Sequence, residues 1–232
     1  MSILLIHGVG GRPRSWDRVL AHLDPVLLRQ VVAVDVTVAT GQSLTEVARD
    51  LLSTHPGSHV VIGHSLGGML AQEIALSDGA HIHGLVLIST IPGATPRVAG
   101  INRALADDIE ARGLENVASG FAASLFAPGR LAISPHLGAA FIADMLEAGP
   151  TSVCAALRAI ADWDASDRLS GVGCPVTVIA GDAEPDIDRQ ALLAQLVGAS
   201  FEVLDGTGHL APMEAPADVA RAITEMTNIV VP

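Results

Sequence analysis

The residues best suited to chemistry lie in Val60-Val61-Ile62-Gly63-His64-Ser65-Leu66-Gly67-Gly68. There a β-branched apolar run meets Gly-x-Ser-x-Gly, and an apolar helical period follows directly. A serine hydroxyl is a weak nucleophile near neutral pH and needs a base within hydrogen-bond reach. A sharp strand-to-helix turn exposes its Oγ and sets it at the positive end of the helix, where a developing anion is favoured. Such a turn leaves no room two positions to either side, and Gly63 and Gly67 meet that demand. The chemistry implied is attack of Ser65 on a carbonyl. It requires a base and fixed donors for the oxyanion that forms.

Both are present. Asp205-Gly206-Thr207-Gly208-His209-Leu210-Ala211-Pro212-Met213-Glu214 follows the last strand-like run and precedes the last helical period. Its glycine-flanked His209 is the candidate base, whereas His7 and His64 read as packing or hydrogen-bonding residues. At the end of the first strand, His7-Gly8-Val9-Gly10-Gly11 lets backbone approach a bound molecule. The amides of Val9 and Leu66 are the candidate oxyanion donors. A phosphate cradle is a poorer reading, since neither Gly-x-Gly-x-x-Gly nor Gly-Lys-Ser/Thr occurs.

These parts must be held by a framework, and the hydropathy pattern describes one. Continuously apolar runs at 3–6, 31–34, 60–62 and 85–88, followed by strand-like runs at 176–180 and 201–204, read as strands of a sheet buried on both faces. Helical periods separate them: Ser43 to about Thr54, opened by a Ser43/Glu46 capping box, then 65–76, 186–196 and 215–226. The alternation predicts an α/β fold with a mostly parallel sheet of about six strands covered by helices. Residues 92–163 break the rhythm with Ala- and Leu-rich helical periods and no strand, too long for an ordinary connection. They are expected to form an inserted helical cap, with 1–91 and 164–232 making one core domain. A pocket is expected from Trp16, Phe121, Leu125, Phe126, Phe141 and Met145, each equally suited to plain core.

Composition removes several function classes. The chain has 232 residues, half of them hydrophobic, 16% charged, and a formal charge of −12; its thirteen basic residues are all Arg. A strongly acidic chain with no basic stripe repels phosphate backbones, so no nucleic-acid partner is expected. No apolar run reaches the roughly 18 residues of a membrane span, and the start shows no leader-like segment. Two cysteines without Cys-x-x-Cys spacing fit a reducing, cytoplasmic setting. Asp107-Asp108 and Asp162-Trp163-Asp164 read as solvated helix ends, and His81 with His83 lacks a third ligand, so no metal is expected.

Taken together, the motifs at 7–11, 63–68, 174–181 and 208–214 resemble the α/β-hydrolase superfamily, near its small esterase, lactonase and C–C hydrolase branches. The resemblance spans nearly the whole chain. It implies a third residue, an acid that orients the imidazole, in a Gly-x-x-Asp turn after the penultimate strand. Here that turn reads Gly181-Asp182-Ala183-Glu184-Pro185-Asp186, which places Glu184 at the acid position. Asp186 is the alternative if the loop shifts by two residues, and Asp182 a weaker one. The other location used by relatives, after the strand preceding the cap, reads Ser89-Thr90-Ile91-Pro92 and holds no carboxylate. A serine at the turn also argues against dehalogenase and epoxide-hydrolase chemistry, where relatives carry Asp. The implied activity is hydrolysis of a small ester, lactone or carbamate without a cofactor, the only partner being the small-molecule substrate. The same fold also serves C–C hydrolases, lyases, cofactor-free oxygenases and receptor-like proteins with slow turnover.

Overall fold

Ser2–Ile6 (β1), Val31–Val34 (β2), His59–His64 (β3), Ile82–Ile88 (β4), Val176–Gly181 (β5) and Ser200–Leu204 (β6) form one sheet, in the order β2-β1-β3-β4-β5-β6. Every pairing is parallel. The computed structural model describes residues 1–230. The helices are Asp17–Leu20 (α1), Pro25–Leu28 (α2), Leu44–Thr54 (α3), Leu66–Ser77 (α4), Pro96–Arg112 (α5) and Leu114–Leu125 (α6). Arg130–Ile133 (α7), Pro135–Ala148 (α8), Pro150–Ala161 (α9), Ile187–Val197 (α10), Ala211–Glu214 (α11) and Pro216–Val230 (α12) complete them. The six-stranded α/β fold read from the sequence is the fold observed.

The inner strands β1, β3, β4 and β5 are buried on both faces, whereas the edge strands β2 and β6 are not, since Val32 and Val203 on them are exposed. Leu4, Ile6, Val61, Leu85, Leu87 and Val178 point to one face, where they pack with Leu70 and Ile74 of α4, Val47 of α3 and Leu193 of α10. Ile3, Leu5, Val60, Ile62, Val86 and Ile179 point to the other, against Val19 of α1 and Val219, Ile223 and Met226 of α12. With side chains alternating at period two, a sheet covered on both faces needs an apolar residue at every position. The chain leaves β1 for β2 on one side and returns to β3 on the other. Such a reversal opens a crevice at the carboxyl ends of the strands, and that is where His7–Gly11 and Ser65 stand.

Helices α5 to α9 fall between β4 and β5 and have a hydrophobic cluster of their own, including Ile109, Leu114, Val117, Phe141, Met145 and Leu157. Proline at the first turn opens α5, α8 and α9, and Gly113 and Gly149, with φ of 85° and 80°, end the helices before them. The cluster reaches the core through Leu210 and Met213. The capping box on α3 forms as expected: Ser43 Oγ accepts from the Glu46 amide, and Glu46 Oε2 from the Ser43 amide at 2.8 Å. Among the described residues no single helix is long and apolar enough to cross a membrane.

One buried charge ties these layers together. Glu73 of α4 is 2% exposed and accepts hydrogen bonds from Thr45 Oγ1, Trp163 Nε1 and the Arg168 guanidinium. Burial pushes its carboxyl up, but the Arg168, Trp163 and Thr45 donors outweigh that and hold it below the usual carboxylate value. Its contribution is therefore complete above the ordinary carboxylate pKa and lost as pH falls through the lower folded value. Glu73→Gln should cost about 2 kcal/mol near neutral pH, moderated because Arg168 is half exposed. The gap to wild type in urea midpoints should close below about pH 4.

Candidate active site

Ser65 sits between β3 and α4 with φ 55° and ψ −116°. Among the described residues only Ser89 shares a positive φ without being glycine. A left-handed φ on a residue with a Cβ is strained by about 1–2 kcal/mol and persists only where its surroundings over-determine it. Here the Ser65 amide donates to the Ile88 carbonyl at 2.9 Å, and its own carbonyl accepts from Gly68, Met69 and Thr90 Oγ1. The need for flanking glycines is steric. A Cβ on Gly63 would run into the Gly67 carbonyl, and one on Gly67 into the carbonyls of Ile6 and His7.

The imidazole of His209 arrives from the other end of the chain. Its Nε2 lies 2.9 Å from Ser65 Oγ, and its Nδ1 lies 2.8 Å from Glu184 Oε2. Several contacts hold its loop in place. The His209 amide donates to the Leu125 carbonyl at 2.7 Å, and His64 Nε2 donates to the His209 carbonyl at 2.7 Å. Glu214, fully buried, accepts from the Gly208 amide on one oxygen and from the Ala127 amide on the other. Gly181 at the end of β5 leaves room for this loop, since a Cβ there would meet the Thr207 and Gly208 carbonyls.

The three carboxylates of the 181–186 turn separate cleanly. Glu184 reaches His209; its other oxygen accepts from the Gly181 amide at 3.0 Å. Asp186 stands just before α10 and its carboxylate ion-pairs with Arg97, so the alternative acid is engaged elsewhere. Asp182 accepts from the Thr207 amide. Burial pushes the Glu184 carboxyl up, but the His209 bond and charge and the Gly181 amide hold it below the usual carboxylate value. It is an anion near neutral pH.

Val9 lines the cavity that holds Ser65, and Leu66 directly follows Ser65 in the chain. Leu66 is the first residue of α4, where a helical N–H has no intrahelical acceptor. Neither its amide nor that of Val9 bonds to another group among the described residues. The loop carrying Val9 is braced by His7, whose Nδ1 donates to the Gly8 carbonyl and whose Nε2 accepts from the Val36 amide. His7 and His64 are thus the hydrogen-bonding residues expected. Burial, and then His209, push the His64 imidazole down to about 3, so it stays neutral. His64→Leu keeps the bulk but frees the His209 loop. We expect kcat to fall about tenfold with KM little changed, as a misplaced base does.

Above these groups lies a cavity of about 620 Å³, lined by Ser65, His209 and Glu184 and roofed by α5 and α6. Of the pocket residues expected, Trp16, Phe121, Leu125 and Phe141 line it. Phe126 and Met145 do not. Phe126 follows the last turn of α6 in extended conformation and is 6% exposed within the cluster of α5–α9, and Met145 is buried against Gly10. Helical spacing marked both as apolar but could not say which side of the helix meets a cavity. Sequence reading missed Val98, Ile101 and Leu105 on α5, and the buried amide of Gln190. The α5 residues carried a readable signal, their i, i+3, i+7 spacing. Gln190 carried none.

Residues 3–222 match the alpha/beta hydrolase family along the sheet, the turn and the His209 loop. The chain belongs to that family. This hydrolase is 29% identical to a pimeloyl-[acyl-carrier protein] methyl ester esterase of Aromatoleum aromaticum, over 97% of its own length and 98% of the relative's. It is 30% identical to the lipase LipV of Mycobacterium tuberculosis, over 95% and 91%. In fold the hydrolase is similar to the enol-lactonase of Burkholderia xenovorans, with a TM-score of 0.86 at 18% identity over 97% and 90% of the two chains.

Proposed function

We propose that this hydrolase cleaves a small carboxylic ester or lactone through an acyl-enzyme on Ser65. The observation that carries the reading is the unbroken line of hydrogen bonds from Glu184 through His209 to Ser65 Oγ, at 2.8 and 2.9 Å. His209 Nε2 takes the hydroxyl proton as Oγ bonds to the carbonyl carbon, and the oxyanion draws on the amides of Val9 and Leu66. The imidazolium, steadied by Glu184, returns the proton to the leaving alkoxide as the C–O bond breaks. Water then attacks the acyl-enzyme, giving its proton to His209, and Ser65 leaves with that proton restored. For a lactone the leaving alkoxide remains tethered to the acyl group. Residues 92–163 act as a cap inserted into the 1–91/164–232 core.

The relative from A. aromaticum acts on an ester held by a carrier protein, whereas we read a free small molecule here. The five arginines of 92–163 are all ion-paired: Arg97 with Asp186, Arg103 with Asp162, Arg112 with Asp108, Arg130 with Glu214, Arg158 with Asp107 and Glu110. Coupled with a formal charge of −12, this leaves the roof little with which to attract an acidic surface. Two free cysteines fit action in the reducing cytoplasm. The test is a panel of p-nitrophenyl esters and simple lactones, assayed with wild type and Ser65→Ala. Turnover confined to wild type supports the reading. Equal rates in both enzymes would remove it.

A further inference from the structure

The cavity over Ser65 does not end at the reacting atoms. Helices α5 and α6 meet at Gly113 and then pack on different partners, α5 on α9 and α6 on α8. The space between them belongs to the same cavity. Helix α5 turns Val98, Ile101 and Leu105 toward it and α6 turns Val117, Gly120 and Phe121, beside the polar Asn102, Asp108, Arg112 and Asn116 of the same helices. Ile101 is 53% exposed although its neighbours on this stripe are apolar. An uncovered apolar stripe that continues a reaction cavity is suited to an apolar part of the substrate.

Gly120 is the unusual member. It lies mid-helix, where glycine weakens a helix, and a Cβ built on it would meet no atom within 4 Å. No close approach of backbone demands a glycine here; what it leaves is space in the cleft. We propose that the α5–α6 cleft seats an unbranched apolar chain of the substrate and that Gly120 sets the chain length accepted. The inference rests on the ester-hydrolase reading and deepens it.

The geometry gives a scale. The C-terminal end of α6 is pinned to the site, because the His209 amide donates to the Leu125 carbonyl. Gly120 stands five residues up the helix from Leu125, about 7.5 Å at 1.5 Å per residue, or the length of about six methylenes. Short chains end before Gly120, and chains of about eight carbons pass it.

The test is a length series in two arms: p-nitrophenyl acetate, butyrate, octanoate and decanoate for a chain on the acyl side, ethyl and octyl acetate for one on the alcohol side. Wild type is compared with Gly120→Leu and with Ser119→Leu, an exposed neighbour outside the cleft. Leucine is the better helix former, so α6 itself is not weakened. In one arm, Gly120→Leu should lower kcat/KM for the eight- and ten-carbon chains at least tenfold and leave the two-carbon ester within twofold. Ser119→Leu should leave the profile unchanged. A profile indifferent to Gly120→Leu in both arms overturns the inference, as does a loss uniform across lengths at unchanged melting temperature. A wild type that turns over acetate keeps the underlying reading even then. One that turns over none of the esters removes both.

Discussion

Alanine at Ser65 should lower kcat about 10⁶-fold, alanine at His209 should cost nearly as much, and the double variant should be no worse than either single one. The hydroxyl and the imidazole act as one device. Once the base is gone, a hydroxyl has no acceptor for its proton, and once the hydroxyl is gone, the base has no nucleophile to activate. What remains in each variant is the cavity and the amides of Val9 and Leu66, which in the proposed mechanism still orient a carbonyl and favour its oxyanion. A residual rate of about 10³ over the uncatalysed reaction should thus survive in all three. The check is single-turnover kinetics with an activated ester. Additive losses in the double variant would mean that the 2.9 Å contact between Ser65 and His209 is not how the proton moves.

The second large effect belongs to Glu184. Glu184→Gln keeps the shape but removes the charge facing His209 Nδ1 and can turn an N–H toward it, which favours the wrong tautomer. A loss of about 10⁴ in kcat follows. Asp186→Asn should stay within about threefold, because Asp186 pairs with Arg97 rather than with the imidazole. The pH profile adds a sign. Glu184 is held below the usual carboxylate value, so its effect is intact above about pH 4 and lost only as pH falls through its lower folded pKa. The acid limb of wild-type kcat/KM above that pH should therefore follow a single proton. A limb that steepens to two protons above pH 4 would mean that Glu184 loses its charge in that range.

Much of this was written in the sequence because steric necessity leaves local marks. Only small residues fit two positions either side of Ser65, and only apolar residues suit strands covered on both faces. Both demands show as residue types at fixed spacing. The choice of Glu184 over Asp186 needed the turn's count of residues, and the ion pair with Arg97, 89 positions away, could not be read at all. The region 92–163 was legible as helices but not as a surface. Phe121 and Phe126 sit five residues apart with the same apolar character, yet one lines the cavity and the other fills the core, because α6 ends between them. The brace of Glu214 on the His209 loop was likewise hidden, its partners at Ala127 and Arg130 lying in another part of the chain.

The most direct trial of the central claim is intact-mass spectrometry after exposure to a fluorophosphonate, followed by peptide mapping. One adduct per chain should form on the peptide holding Ser65, slow sharply in His209→Ala and be absent in Ser65→Ala. An adduct placed on any other residue, or one that persists in Ser65→Ala, would contradict the account.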